Sequence, residues 1–208
     1  MILIGQYDSP FVRRVGIALR LYGMDFEHLP WSTFGDAEKI AAYNPLRRVP
    51  TLVLDDGEVL IESTAILDHL DEIAGPERAL IAAAGPARRK ALGICALATG
   101  MSDKAASLLY ERVLRQQRSE LWIARCEAQV AGVLDVLEAE RAELPTAFWF
   151  GAKPGHADIA VACAIRFTRE AHPALFSQEK FPALAAHAAG CESLEVFRAI
   201  LQPLIPPS

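Results

Sequence analysis

No apolar stretch in this sequence is long enough to span a bilayer, which takes about 20 consecutive apolar residues. The N-terminus lacks a charged leader followed by a long apolar region, so no secretory signal is expected. Neither sign of charge dominates: 21 Lys and Arg stand against 26 Asp and Glu, a net charge of −5. The basic clusters Arg13-Arg14, Arg47-Arg48 and Arg88-Arg89-Lys90 are short and scattered, as on solvated helix faces. Neither nucleic acid nor an anionic membrane is therefore an expected partner. Cysteine is scarce, with 4 residues (Cys95, Cys126, Cys163, Cys191) and no C-x-x-C pair. Small buried core residues in a reduced, cytoplasmic protein are the expectation. The 5 histidines (His28, His69, His156, His172, His187) have no paired ligand spacing, so no metal is expected. Internal repeats and low-complexity tracts are missing too.

What is present is apolar surface. Of 208 residues, 52% are hydrophobic, enough for one large domain or two small ones. The chain changes character near Gly75-Pro76. Before it, short apolar runs alternate with helical patterns. Ile2-Leu3-Ile4 and Phe26 to Pro30 read as strands, with a helix over Val15 to Tyr22 ending at Gly23. Ala37 to Tyr43 is a weak helix closed by Asn44-Pro45. Thr51 to Leu54 and Val59 to Ile61 flank Asp55-Asp56-Gly57, a hairpin signal. Ile66, Leu67, Leu70 and Ile73 form a helical stripe. The order β-α-β-α-β-β-α alternates first as parallel units do and then turns antiparallel.

After Pro76 the strands stop. Residues 77–86 read as a linker. Helices are expected over Arg88 to about Arg118, Leu121 to Ala142 and His156 to about Ala171. Two shorter ones follow, near Pro182 to Gly190 and Leu194 to Leu201, before Pro203, Pro206 and Pro207. The architecture expected is a small α/β domain followed by an all-helical domain.

Three short motifs in the first part carry chemistry only when taken together. Ser9-Pro10 suits the start of a helix, with Ser as N-cap and Pro as first residue. It also suits an anion, which the free N–H groups and the helix dipole favour. Val49-Pro50 precedes a strand. An ordinary strand entry explains it. A cis bond there explains it as well, and would leave Val49 able to pair with an extended peptide. Glu62-Ser63 sits between a strand and a helix. It is either a plain cap or a pair that holds the ammonium and carboxylate of an α-amino acid.

In that order, on that frame, the sequence resembles the glutathione transferase superfamily along its whole length. The best carriers are Ser9-Pro10-Phe11, Val49-Pro50-Thr51-Leu52, Glu62-Ser63 and Gly151 through Asp158. The Ser-Pro-Phe form resembles the serine-type branches of bacteria and plants. The resemblance implies a thioredoxin-like glutathione-binding domain over residues 1–76. It also implies an all-helical domain over 87–208 that contributes the second-substrate site. It assigns Ser9 to the glutathione sulfur and the backbone of Val49 to the cysteinyl part. Pro50 stands at the cis-proline, Glu62 and Ser63 at the γ-glutamyl end, and Arg48 near the glycyl carboxylate. Ser9 and Val12 occupy the two cysteine positions of the thioredoxin motif, which disfavours thiol–disulfide exchange. Tyr7, two residues early, becomes a wall of the site rather than the activating hydroxyl. Family geometry offers Phe11, Met101, Lys104, Ala105 and Leu108 to the second substrate, with the chain end closing the site.

The stretch Gly151 to Ile159 resembles the capping box before the family's central helix. Asp158 matches, and Gly155 replaces the usual Ser or Thr at an expected cost of a few tenths of a kcal/mol. His156 is expected to face solvent or to bond locally.

The implied activity is that of a glutathione S-transferase: glutathione is the co-substrate, and its thiolate attacks a small electrophile, as in detoxification. A glutathione-dependent isomerase, dehalogenase or peroxidase uses the same thiolate. A zeta-type isomerase more usually carries Ser-Ser-Cys at the first helix, which is missing here. A non-enzymatic carrier of apolar ligands is the third reading. A homodimer is implied by the resemblance alone.

Overall fold

The computed structural model describes residues 1–207. The chain runs β1 (Ile2–Ile4), α1 (Pro10–Tyr22), β2 (Glu27–Leu29), α2 (Ala37–Ala41), β3 (Thr51–Val53), β4 (Val59–Ile61) and α3 (Ser63–Ala74). Helices α4 (Gly85–Leu114), α5 (Glu120–Ala142), α6 (His156–Ala171), α7 (Pro182–Glu192) and α8 (Glu195–Ala199) follow, with a 3-10 turn at Pro173–Leu175.

The strands form one sheet in the order β2-β1-β3-β4. β1 pairs parallel with β2 and antiparallel with β3, and β3 pairs antiparallel with β4. Alternation along each strand sends successive side chains to opposite faces. Leu3 and Leu52 accordingly meet Val12, Val15 and Leu19 of α1 and Ile66, Leu67 and Leu70 of α3. Ile4 and Val53 face the other way, against Ile40 of α2. Ser9 caps α1, its Oγ accepting from Val12 N at 3.4 Å. Gly23, with φ 67°, closes the helix.

The helical part packs around α6. Twelve of its residues are buried, Ile159 through Ile165 consecutively. Val161, Ala164 and Ile165 join Met101 and Ala105 of α4, Val130, Leu134 and Leu137 of α5, and Leu184 of α7. The two parts share a third core: Ile17 of α1 sits among Ile159, Ala162, Cys163, Cys191, Phe197 and Ile200. Each such buried Ile or Phe contributes about 1.5–3 kcal/mol, so α1 and α6 are held face to face. All four cysteines are buried and unpaired.

Two features of this junction differ from the sequence expectation. His156 is 5% exposed, not solvent-facing. Its Nε2 lies 3.0 Å from both carboxylate oxygens of Asp71 on α3. The linker explains this. Leu80 N donates to Asp71 Oδ1 at 3.0 Å and to Tyr22 Oη at 2.9 Å, and Leu80 O accepts from His156 N at 3.0 Å. The Tyr22 hydroxyl also donates to Asp71. Gly155 is likewise more than a tolerated cap: a Cβ there would lie 2.7 Å from Leu80 O. Half of the expected capping box forms, with Asp158 Oδ2 accepting from Gly155 N at 2.9 Å. Its other oxygen accepts from Trp149 N at 2.9 Å.

Candidate functional site

A cleft of about 760 Å³ opens between the sheet end, α4 and the last residues described. Its floor is the start of α1. Ser9, Pro10 and Phe11 line it, as do Arg47, Arg48 and Val49 across the gap. Ser9 Oγ accepts from Val12 N, which leaves its proton free to donate into the cleft. Pro10 has no N–H, and the Phe11 N–H donates to no protein atom among the described residues. The helix dipole adds partial positive charge there. The start of α1 is thus prepared for an anion.

The Val49–Pro50 bond is cis. Among the described residues, neither the N–H nor the C=O of Val49 has a protein partner. Buried Asn44 holds this loop. Its Nδ2 donates to Arg48 O at 2.9 Å and to Thr51 Oγ1 at 3.3 Å, and its Oδ1 accepts from Leu46 N at 3.0 Å. Gly5 lets the loop approach α1. Its φ is 129°, and a Cβ would lie 2.6 Å from Val12 Cγ2 and 2.7 Å from Val49 Cβ. Sequence reasoning passed over Gly5; a lone glycine directly after a strand is the signal that marks such a close approach.

Only two described non-glycine residues have positive φ, Arg47 at 51° and Glu62 at 68°. Such backbone costs on the order of 1–3 kcal/mol and gathers at functional sites. Arg47 lines the cleft, and Glu62 sits just before α3. Arg48 stands between two loosely held carboxylates, 4.0 Å from Glu62 Oε1 and 3.9 Å from Asp103 Oδ1. Ser63 is the first residue of α3 and is buried. Glu62 and Ser63 lie beyond the cleft lining, reached through Arg48. Pro50 is buried behind Val49.

The aromatic side of the cleft comes from segments without periodicity. Trp31 and Phe34 of the β2–α2 loop face Tyr110 of α4 and Phe167 of α6. The Phe34 and Tyr110 rings meet edge to face at 5.3 Å. Leu204 to Pro207 form a further wall. Asp8 also lines the cleft, its carboxyl raised above the usual range by burial.

Five of the residues expected on the second-substrate side, Tyr7, Met101, Lys104, Ala105 and Leu108, do not line this space. Tyr7 stacks on His28 at 3.8 Å, and burial pushes its hydroxyl up to about 12. Met101, Ala105 and Leu108 are fully buried. Lys104 pairs with Asp103 at 3.1 Å and lies over Trp122. The face of α4 that meets the cleft carries Asp103, Ala106, Ser107, Leu109 and Tyr110. Two positions along a helix amount to about 200° of rotation, so the stripe read as the ligand wall is the one that packs inward. Phe11 does line the cleft.

Comparison with known proteins gives this geometry a family. The model of the glutathione S-transferase N-terminal domain matches residues 3–78, and that of the C-terminal domain matches residues 120–190. A glutathione transferase family member from Pseudomonas fluorescens, solved with bound glutathione, is 31% identical. That match covers 98% of this chain and 99% of the other, with a TM-score of 0.86. The chain belongs to the glutathione S-transferase family. Another member of known structure is a glutathione S-transferase from Methylobacterium radiotolerans in complex with glutathione sulfonate. It superposes with a TM-score of 0.91 at 25% identity, over 100% of this chain and 97% of that one. Maleylacetoacetate isomerase of Pseudomonas aeruginosa is 29% identical over 191 residues, 87% of this chain and 82% of that protein. The fold is that of the glutathione S-transferases: a thioredoxin-like unit on a four-stranded sheet, then a helical unit. Among the described residues, no group of three or more His, Cys, Asp or Glu is placed to hold a metal ion. No described helix is long and apolar enough to cross a membrane.

Proposed function

We propose that this family member is a serine-type glutathione transferase, of the bacterial kind that its Ser-Pro-Phe motif resembles. Glutathione lies extended across Val49 and pairs with its N–H and C=O as an added strand does. Its γ-glutamyl end reaches Glu62 and Ser63, and Arg48 takes the glycyl carboxylate. The sulfur sits at the start of α1, where Ser9 donates a hydrogen bond to it. A hydrogen bond to a charged group contributes about 1.5–3 kcal/mol, and the helix terminus about 0.3–1 kcal/mol. At about 1.4 kcal/mol per pKa unit, the two together lower the thiol by roughly one to three units.

The thiolate then attacks an electrophilic carbon of a small, mostly apolar substrate. The C–S bond forms as the leaving group departs with its electron pair. Phe11, Phe34, Tyr110 and Phe167 pack against that substrate. On this reading residues 1–76 bind glutathione and residues 87–208 contribute to the second-substrate site. The protein works in the cytoplasm as a homodimer and needs no metal.

One observation carries this reading: the free Ser9 hydroxyl proton and the unpaired backbone of Val49 face one cleft at a helix N-terminus. The test is an ultraviolet titration of bound glutathione thiolate in wild type and Ser9→Ala. A thiol pKa lowered in wild type and restored in the variant supports the role of Ser9. An equal pKa in both would remove it.

A second reading, a glutathione-dependent cis–trans isomerase, is favoured by the 29% identity to maleylacetoacetate isomerase. An isomerase releases glutathione unchanged at each turnover, whereas a transferase consumes it. Counting free thiol through a reaction separates the two.

A further inference from the structure

The end of the chain has a fixed root and a lightly held strap. At the root, Arg13 is 1% exposed and pairs with Glu192 at 2.6 and 2.7 Å. Its Nε donates to Ile200 O at 2.8 Å, and its Nη2 to Phe197 O at 3.0 Å. Beyond Ile200, residues 201–207 have no regular structure and no backbone–backbone hydrogen bond among the described residues. Three hydrogen bonds hold them. Tyr7 N donates to Gln202 Oε1 at 3.1 Å, Leu204 N donates to Glu170 Oε2 at 2.8 Å, and Ile205 N donates to Asp8 Oδ2 at 3.1 Å. Arg166 braces Glu170 from the other side, Nη2 to Oε1 at 2.5 Å. Pro203, Pro206 and Pro207 keep the segment extended.

This strap lines the cleft with Leu204, Ile205, Pro206 and Pro207. Ile205 is nevertheless 57% exposed, an apolar side chain at the cleft mouth with little to cover it. Two carboxylates, one beside Ser9 and one near the end of α6, thus hold apolar groups at the entrance. Neither carboxylate is needed for the start of α1 to attract an anion; as negative charges they work against that. Each accepts one backbone N–H of the strap, and Glu170 pairs with Arg166 as well.

We propose that Asp8 and Glu170 are positioning residues for the second substrate. Each fixes one N–H of the strap, and together they set Leu204 and Ile205 as the wall against which an apolar group on the glutathione sulfur packs. The specificity that follows is for electrophiles with an extended apolar arm, long enough to reach from Ser9 to Ile205. The inference rests on glutathione occupying the Ser9 side of the cleft.

The test uses S-methylglutathione and S-hexylglutathione, with dissociation constants measured by calorimetry. The readout is the ratio of the two constants, which isolates the apolar arm. Wild type is expected to bind the hexyl compound at least about tenfold more tightly, since its longer alkyl arm leaves water. In Asp8→Ala, in Glu170→Ala and in a chain ended after Gln202, the ratio is expected to fall to about threefold or less. Asp8→Asn keeps an acceptor oxygen and is expected to keep most of the ratio. An unchanged ratio in the shortened chain overturns the proposal and leaves the glutathione reading intact. A ratio lost in Asp8→Ala but kept in the shortened chain also overturns it, because Asp8 then acts at the sulfur and not through the strap. If wild type binds neither compound, the glutathione reading fails and this inference fails with it.

Discussion

Gly5→Ala tests how the two halves of the proposed glutathione site are brought together. Gly5 follows β1 with φ 129°, between Val12 of α1 and Val49 of the cis-proline loop. An added Cβ would lie 2.6 Å from Val12 Cγ2 and 2.7 Å from Val49 Cβ. Carbon atoms in contact normally sit about 3.5–4.0 Å apart, so roughly 1 Å must open on each side. Overpacking of this kind costs about 1–3 kcal/mol. Alanine at that φ costs about 1–3 kcal/mol more. The expected loss is about 4 kcal/mol, out of a total that for most domains is only 5–15 kcal/mol. For a chain of this size that lowers the melting temperature by roughly 8–16 °C. In the proposed glutathione pose, displacing Val49 also spoils two backbone hydrogen bonds, at about 1 kcal/mol each, so affinity should fall about 30-fold. Urea unfolding and glutathione calorimetry read the two effects separately. A variant within about 0.5 kcal/mol of wild type, with unaltered glutathione affinity, would refute the account of how Val49 is seated.

Three further outcomes follow from the junction and the core. Gly155→Ser adds a favourable cap residue but sets its Cβ 2.7 Å from Leu80 O. It should destabilise by about 1–3 kcal/mol in chemical unfolding, where a cap-only account predicts a small gain. Burial raises the Asp71 carboxyl, yet the hydrogen bond and charge of His156, with the bonds from Tyr22 and Leu80 N, hold it below its ordinary value. A lowered folded-state pKa gives stability that is present above the unfolded value of about 3.9 and lost as pH falls through the folded one. Wild type should therefore lose melting temperature more steeply than Asp71→Asn below about pH 4; parallel curves would contradict this. Burial pushes the Cys163 thiol up to about 11 and raises Cys95, Cys126 and Cys191 as well. An aromatic disulfide reagent at neutral pH should leave the native protein unlabelled and react with all 4 thiols once it is unfolded; rapid native labelling would count against the packing described.

The fold was legible where a short pattern decides a local structure. Ile2 to Ile4, the Asp55-Asp56-Gly57 turn and the Ser9-Pro10 cap each specify their own element. They set the β-α-β-α-β-β-α order that the structure shows. Sequence position also brought Ser9, Arg48 and Val49 to one cleft. The aromatic side of the cleft was not legible in this way. Helix α4 meets α5, α6 and the cleft, so its apolar stripe does not say which neighbour it faces. Met101 and Leu108 turned inward, and Tyr110 lay outside the stripe. Trp31, Phe34 and Ile205 come from loop and strap, where no periodicity marks a face. His156 reads as surface because it follows a cap, until the linker at Leu80 folds over it. Gly155 reads as a departure from a motif until that same carbonyl is seen to fill the space of a Cβ.

The central claim is that the start of α1, with Ser9, turns bound glutathione into a thiolate. The ultraviolet titration of the bound thiol in wild type and Ser9→Ala tests it most directly. The account predicts a thiol pKa roughly one to three units below that of free glutathione in wild type, most of it recovered in Ser9→Ala. Glutathione bound with an unshifted thiol in the wild-type protein would contradict it.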